Sequence, residues 1–299
     1  MKSIRAFTEK YSHWILLAPF LVCFVIFIFL PVVSAIFLSF THFNTVQSPQ
    51  FAWFKNFIDI FTRDREFMQK VLPNTIIYAL IVGPGGYLLS FALAWVLAQL
   101  SRIPRTILAI LFYLPSLLGA VSLTSVWSVL FSGDKRGWIN HLLMSLNLIN
   151  EPVAWLTSPG TLLPVMIFIA LWSSMGVGFL AMLSGVLNVN PELYEAGRID
   201  GVRNRMQEIY YITIPSVKPQ MLFGAVMAIV GTFNTAGLGV SLSGSNPTPG
   251  YAGQLIVNHM DDYGFQRYEM GYAAALSVML LIFVWMMSSV AYKLFRERD

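Results

Sequence analysis

The residues that could do chemistry are concentrated in one polar stretch between two long apolar runs, from Asn190 to Pro219. Its charged side chains are Glu192, Glu195, Arg198, Asp200, Arg203, Arg205, Glu208 and Lys218. The plainest interpretation is a cytoplasmic connector between two membrane spans. The alternative is a surface on which a partner protein acts, and the residue pattern alone leaves both open.

The stretch carries the signals of two short helices and a corner. Asn190-Pro191-Glu192 supplies a cap, a proline suited to the first helical position and an acid at the positive end of the dipole, which predicts a helix to about Ile199. Asp200-Gly201 is a turn signal, since glycine accepts backbone angles that other residues resist. A second helix is predicted from about Val202 to Tyr211, ending before Pro215.

The order of residues in this stretch resembles the EAA loop of ABC importer permeases, most closely the carbohydrate group. The matching residues are Glu195-Ala196, Asp200-Gly201, Ile212-Thr213-Ile214-Pro215 and Pro219. In that family the loop forms a coupling helix that sits in a groove of a cytoplasmic ATPase. The resemblance therefore assigns coupling to Glu195, Ala196, Gly197, Asp200, Gly201, Ile214 and Pro215. The chain departs from the family pattern at Gly197, at Val202 and by one inserted residue near Arg203.

Composition indicates a protein that crosses a membrane several times. Of 299 residues, 56% are hydrophobic and only 11% are charged, whereas soluble domains are about a quarter charged. The single cysteine, Cys23, lies in an apolar run, which excludes a disulfide framework and a cysteine metal site. The net charge of +4 is spread along the chain and predicts no nucleic-acid partner.

Six apolar stretches have the length that a bilayer requires. They are residues 14–40, 74–98, 106–131, 161–187, 219–241 and 270–292. The first is too long for a signal peptide and is predicted to be an uncleaved span after a cytoplasmic segment, residues 1–13. The chain is thus expected to be an all-α membrane protein, with residues 14–299 forming one transmembrane domain.

The basic residues set the orientation. With the N-terminus inside, twelve lysines and arginines are cytoplasmic and seven are external, so the positive-inside rule places both termini in the cytoplasm. Loop 190–219 is then cytoplasmic, where an ATPase could reach it, and loops 41–73 and 242–269 are external. In loop 41–73, Asn56-Phe57 with the downstream pair Asn74-Thr75 resembles a family motif near the binding-protein side; aromatic anchoring at the lipid headgroups is the alternative.

Three predicted spans contain residues that break helices. Gly83-Pro84-Gly85-Gly86 is expected to interrupt the second span and Pro115 the third, and such breaks often line substrate paths. Pro164, near the end of the fourth span, is expected to produce only a packing kink. Gly137-Trp138-Ile139-Asn140, between the third and fourth spans, also resembles an external family element.

The spans contain no Asp, Glu, Lys, Arg or His, which proton-coupled and ion-coupled carriers usually require inside the membrane. The chain also lacks a phosphate-binding loop and the common hydrolase motifs. We therefore expect no catalytic residue, no metal site and no cofactor on this chain. Its histidines, His13, His42, His141 and His259, are predicted to be ordinary interfacial or loop residues.

Uncharged polar residues in the spans are the candidates for a substrate pathway. In the fifth span they are Thr232, Asn234 and Thr235 beside Phe233, and weaker candidates in the fourth span are Trp172, Ser173 and Ser174. Hydroxyl and amide groups beside an aromatic ring suit a sugar. Hydrogen bonding between helices is an equally good explanation.

The resemblance implies a permease subunit of a carbohydrate importer in the cytoplasmic membrane of a prokaryote, working by alternating access. It implies four partners besides lipid: a second permease subunit, an ATPase dimer that carries ATP and magnesium, an extracytoplasmic solute-binding protein and the carbohydrate. A glycerol-phosphate importer is the alternative within the class. A gradient-driven carrier and a non-transport membrane scaffold are the alternatives outside it.

Overall fold

A computed structural model describes residues 14, 16–118, 120–233, 235 and 237–295. These residues are all-α apart from one pair of two-residue strands. The helices are α1 (Leu16–Ser39), α2 (Lys55–Thr62), α3 (Phe67–Ala98), α4 (Arg102–Leu117), α5 (Ala120–Leu130), α6 (Trp138–Ser145), α7 (Leu162–Trp172), α8 (Val177–Leu187), α9 (Pro191–Ile199), α10 (Arg205–Ser216), α11 (Lys218–Phe233), α12 (Leu238–Ser243), α13 (Ile256–Asp261) and α14 (Met270–Phe295). Strands β1 (Thr41–His42) and β2 (Gln50–Phe51) pair antiparallel.

Within the described residues, four helical stretches are long and apolar enough to cross a membrane. They are α1, α3, the stretch Leu162–Leu187 that holds α7 and α8, and α14. The pair α10 and α11 makes a fifth if its 84° bend is allowed within one span. The predicted third span divides into α4 and α5, with 16 and 11 residues, which are each shorter than a bilayer requires. Six spans and cytoplasmic termini therefore stay predictions.

The chain divides into two compact units, of which the first contains Met1–Arg63 and Tyr263–Met279. In this unit the amide of Asn56 donates to the carbonyls of Ser39 and Thr41, both at 2.9 Å. Gly271 lies so close to the carbonyl of Thr41 that a β-carbon would overlap it. Asn56 thus closes the turn between α1 and α2, which by itself accounts for an asparagine at this position.

The second unit contains Asp64–Asp262 and Leu280–Asp299. Its core lies where α3, α8 and α11 pack together, and Phe179 and Met182 of α8 are almost completely buried there. Glycines permit the close approach: a β-carbon on Gly178 would lie 3.0 Å from the α-carbon of Gly224. Small residues of this kind are typical of helices packed within a membrane.

Three helices in the described part of the chain continue past a proline in the same way. A π-helical turn precedes each proline: Val25–Phe29 before Pro31, Phe67–Val71 before Pro73, and Ile209–Thr213 before Pro215. A proline removes one helical hydrogen bond and crowds the carbonyl four residues earlier. The wider i→i+5 turn relieves that crowding, so each helix continues.

Two predictions about helix breaks were wrong. Helix α3 is continuous through Gly83-Pro84-Gly85-Gly86 instead of being interrupted there. The glycines serve packing, since a β-carbon on Gly86 would lie 2.8 Å from the β-carbon of Ser174. The second helix of the polar stretch was predicted to end before Pro215, but α10 includes this proline because of the π turn before it.

The breaks lie at other places. Helix α4 ends two residues after Pro115, close to the predicted interruption. The fourth span is broken at residues 173–176 rather than at Pro164, which lies in the first turn of α7. The predicted fifth span ends its first helix at Phe233 and resumes as α12, with Gly237 in a left-handed conformation (φ 79°).

Asn140 organises the connection between α5 and α7. It is completely buried. Its amide nitrogen donates to the carbonyls of Ser132, Asp134 and Val153, and its oxygen accepts from Val153 and from the Trp155 indole. The Gly137–Asn140 element that resembles the family therefore holds a loop together.

Candidate functional site

The polar stretch begins with the helix start that its sequence predicts. The side-chain oxygen of Asn190 accepts a hydrogen bond from the backbone nitrogen of Glu192 at 3.1 Å, and Pro191 is the first helical residue. Helix α9 then runs to Ile199 with none of its residues fully buried. This exposed helix carries Glu195, Ala196 and Gly197, the first three residues of the predicted coupling set.

The turn after α9 depends on glycine. Gly201 has φ +95°, a conformation that other L-residues rarely adopt. No atom lies within 4 Å of the position that its β-carbon would take, so the constraint within this chain is backbone conformation and not space. Asp200 and Gly201 thus form the predicted corner.

Helix α10 begins later than predicted, at Arg205 instead of Val202. The reason is a pair of caps: the Asn204 oxygen accepts from the backbone nitrogen of Gln207 at 2.9 Å, and the Gln207 oxygen accepts from that of Arg203 at 2.8 Å. This reciprocal arrangement satisfies donors that a helix start leaves open. Ile214 and Pro215, the last predicted coupling residues, lie at the far end of α10.

Three contacts join α9 to α10. The Tyr194 hydroxyl lies 3.0 Å from the Thr213 hydroxyl. A β-carbon on Gly197 would lie 2.6 Å from the δ-carbon of Ile212, so a larger residue there would have to displace the tip of that side chain. The third contact is an ion pair at 3.7 Å between Arg198 and Glu208.

A cavity of about 410 Å³ lies among α3, α4, α7, α8 and α11, beside the breaks that follow α4, α7 and α11. Its polar lining consists of hydroxyl side chains: Tyr78, Tyr87, Ser90, Ser116, Ser173, Ser174, Thr232 and Thr235. The described lining residues include no Asp, Glu, Lys, Arg or His. The cavity can therefore form hydrogen bonds but offers no fixed charge.

The structure brings four of the predicted pathway residues to this cavity: Ser173, Ser174, Thr232 and Thr235. Trp172 instead packs edge-on against Trp127, with ring centres 5.3 Å apart, and Phe233 packs against Phe283 at 5.2 Å. Asn234 lies outside the described residues. The substrate role of these seven residues stays a prediction.

Sequence reasoning missed Tyr78, which is buried in α3 and hydrogen-bonded to the side chain of Thr235. It also missed Gly86, which lines the cavity and lets the residues after α7 approach α3. The glycine cluster was a usable signal, but it had been assigned to a helix break and not to close packing.

A second finding is a set of residues that we call the buried polar cluster: Asp64, Thr75, Thr248, Gln254 and His259. The His259 ring nitrogen Nε2 lies 2.7 Å from Asp64 Oδ2, and the other carboxylate oxygen accepts from the backbone of Phe67. The Thr75 hydroxyl accepts from the backbone of Ile256 at 3.0 Å. His259 was predicted to be an ordinary interfacial residue, but it has no exposed surface.

The family follows from a comparison with known proteins. The model of the binding-protein-dependent transport system inner membrane component family matches residues 86–295. The chain belongs to this family. Because the matched range is most of the chain and includes α9 and α10, the stretch first distinguished by its charges lies within the family's own domain.

Relatives extend the similarity to nearly the full length. The arabinooligosaccharides transport system permease protein AraP of Bacillus subtilis is 27% identical, over 96% of this chain and 90% of the relative. The lactose transport system permease protein LacF of Rhizobium radiobacter is 25% identical, over 96% and 95%.

Solved structures of bacterial transporters have the same fold. A transporter involved in the import of the acidic polysaccharide alginate matches with a TM-score of 0.79 and 21% identity, covering 99% of both chains. A second structure, of the alginate transporter in complex with an alginate pentasaccharide-bound periplasmic protein, matches with a TM-score of 0.80 and 20% identity, over 98% of this chain and 96% of that chain. At this level of identity, the similarity to the two alginate transporter structures shows that this chain shares their fold.

Proposed function

We propose that this chain is the permease subunit of an ATP-driven importer that moves a neutral carbohydrate or oligosaccharide across the cytoplasmic membrane of a prokaryote. The observation that carries the proposal is the cavity lined by hydroxyl groups, without a charged residue among its described lining. Family membership and the names of its sugar-transporting relatives support the same class of substrate.

The hydroxyl groups around the cavity are chemically matched to a sugar. Five of them donate their proton to a backbone carbonyl three or four residues earlier in the chain: Ser116, Ser173, Ser174, Thr232 and Thr235. A hydroxyl that donates still has lone pairs that accept. The lining is therefore rich in acceptors, which suits a substrate that brings many O–H donors.

The absence of charge bears on which sugar is taken. An anionic substrate is usually held by arginine or lysine, and the described lining has neither. This disfavours both a glycerol-phosphate importer and the transport of an acidic polysaccharide of the alginate kind. It also disfavours a gradient-driven carrier, which needs an ionisable group to couple proton movement to transport.

The energy source is proposed to be a separate ATPase dimer that binds ATP and magnesium, with this chain itself not catalytic. A second permease subunit completes the pathway, and an extracytoplasmic binding protein delivers the substrate. Closure of the ATPase dimer would push α9, and α10 and α11 would pass the movement to the cavity wall. The resulting cycle is alternating access.

The proposal is tested by purifying the tagged chain in mild detergent with its partners. ATP hydrolysis is then measured with the binding protein loaded with neutral oligosaccharides or, in parallel, with uronic-acid oligosaccharides. A co-purifying ATPase stimulated by a neutral sugar supports the proposal. Stimulation by the acidic sugar alone would overturn the substrate class, and a chain that purifies without an ATPase would favour the scaffold or carrier alternatives.

A further inference from the structure

Helix α9 is a lever only if its movement reaches the cavity, and this inference rests on the proposed function. The helix has nine residues and none of them is fully buried, and Tyr194, which is half-buried, packs against the hydrophobic core of the second unit. Its direction therefore depends on this packing of Tyr194 and on the contacts that α9 makes with α10.

The strongest of those contacts is polar and directional. The Tyr194 hydroxyl lies 3.0 Å from the hydroxyl of Thr213, which is completely buried. Thr213 donates its only hydroxyl proton to the carbonyl of Glu208 at 3.3 Å. A hydroxyl has one proton to donate, so while Thr213 donates to Glu208 it can accept the proton of Tyr194, and the bond between the two helices is then complete.

The other two contacts constrain α9 less. Arg198 and Glu208 are 3.7 Å apart and the arginine side chain is 62% exposed, a geometry in which ion pairs contribute little. The contact between Gly197 and Ile212 is apolar, and it allows sliding because it has no preferred angle.

Thr213 is well placed to pass on a displacement. It lies in the π turn of α10, three residues before that helix ends at Ser216. There the chain bends by 84° into α11, which lines the cavity with Gly224, Gly231 and Thr232. Two helices joined through the single residue Val217 thus connect the partner of Tyr194 to the cavity wall.

We propose that Tyr194 is a positioning residue whose hydrogen bond to Thr213 fixes the direction of α9, so that each ATP-driven displacement of α9 is passed to α10 and α11. The bond holds α9 in place and takes no part in ATP hydrolysis or in any other chemical step. Its loss should let α9 move without moving the cavity wall, so that ATP is hydrolysed without import.

The test uses the full complex reconstituted in vesicles with the loaded binding protein, and measures ATP hydrolysed per sugar imported. Tyr194→Phe removes only the hydroxyl and should raise this ratio by about 2- to 10-fold, the range that one hydrogen bond spans. Thr213→Val should raise it similarly, and the double variant should add little, since both remove the same bond. Thr213→Ser keeps the hydroxyl and should restore the normal ratio. Tyr292→Phe, an exposed tyrosine of α14, is the matched control and should change nothing.

Three results would count against the inference. A normal ratio in Tyr194→Phe overturns it and leaves the proposed function intact. A smaller yield of assembled complex with an unchanged ratio would assign Tyr194 a structural role only, which also overturns it. If the unaltered complex neither hydrolyses ATP nor imports sugar, the proposed function fails and the inference fails with it.

Discussion

The polar stretch around α9 and α10 and the buried polar cluster use similar residue types in opposite ways. In the polar stretch the charged side chains are neighbours in sequence and mostly exposed. The hydrogen bonds that cap its two helices join residues two to four positions apart. In the cluster two bonds join distant segments: Asp64 and His259 are separated by 195 residues, and Thr75 accepts from Ile256, 181 residues away. The comparison teaches that polar residues close in sequence form an accessible surface here, whereas those brought together by folding hold the fold.

The largest expected effect is at Gly201. Replacement by tryptophan should reduce sugar import more than about 10-fold, because φ +95° costs other residues about 1–3 kcal/mol and the added bulk faces the proposed ATPase. Assembly of the complex should change little, since the surroundings of Gly201 are open: no neighbouring part of this chain lies within 4 Å of the position that the new β-carbon would take. Import into vesicles and the yield of complex are the two measurements. Gly160→Trp, in equally open space without a positive φ, is the control, and normal import by Gly201→Trp would break the comparison.

The next effect is expected in the buried polar cluster. His259→Ala removes one partner of a completely buried pair, which lowers the free energy of unfolding by about 3–5 kcal/mol when the remaining partner stays charged. Thermal unfolding of the detergent-solubilised protein measures this loss. His141→Ala, at an exposed histidine, is the matched control. Equal melting temperatures in the two variants would mean that the pair does not hold the fold.

These two variants should also differ in which property they affect, and this difference sharpens the comparison between the two regions. Gly201→Trp is expected to affect transport with stability retained, whereas His259→Ala is expected to affect stability first and transport only through loss of protein.

A smaller effect is expected from the cap of α9. Asn190→Ala removes the side-chain acceptor for the backbone of Glu192 and should weaken the helix by about 0.5–2 kcal/mol. The melting temperature of the whole protein should barely move, because α9 contributes no buried residue to the core. Hydrogen exchange of the α9 amides is the sensitive measurement, and unchanged protection there would show that the cap is dispensable.

The smallest effect concerns pH. Partial burial raises the pKa of the Asp261 carboxyl in α13 above its ordinary value. A folded-state pKa above the unfolded one contributes stability at low pH, and that contribution is lost as the pH rises through the folded pKa. Asp261→Asn should therefore remove this part of the fall of melting temperature as the pH rises from acidic values. An unchanged slope would contradict the assignment.

Much of the fold was predictable because its signals are local. The cap at Asn190, the turn at Gly201 and the apolar stretches of α1, α3 and α14 follow from residue type and spacing. The order of residues around Glu195 carried the family resemblance that the comparison with known families confirmed.

The rest depended on contacts that sequence order does not reveal. Nothing near His259 in the chain indicates that Asp64 will lie beside it. The glycines around Gly86 read equally well as a helix break or as a packing surface, and only the neighbour Ser174 decides between them. Pathway residues such as Phe233 were chosen by chemical type, but side-chain direction separates those that line the cavity from those that pack elsewhere.

The π turns before Pro31, Pro73 and Pro215 have a consequence for how this chain can vary. An i→i+5 turn is an α-helical turn with one extra residue in its hydrogen-bonded ring. A one-residue deletion within Ile209–Thr213 should therefore restore an ordinary helix, but that helix would bring the ring of Pro215 against a carbonyl. We expect a deletion in any of these three turns to be tolerated only when the following proline is also replaced. The length of the turn and the presence of the proline should therefore change together.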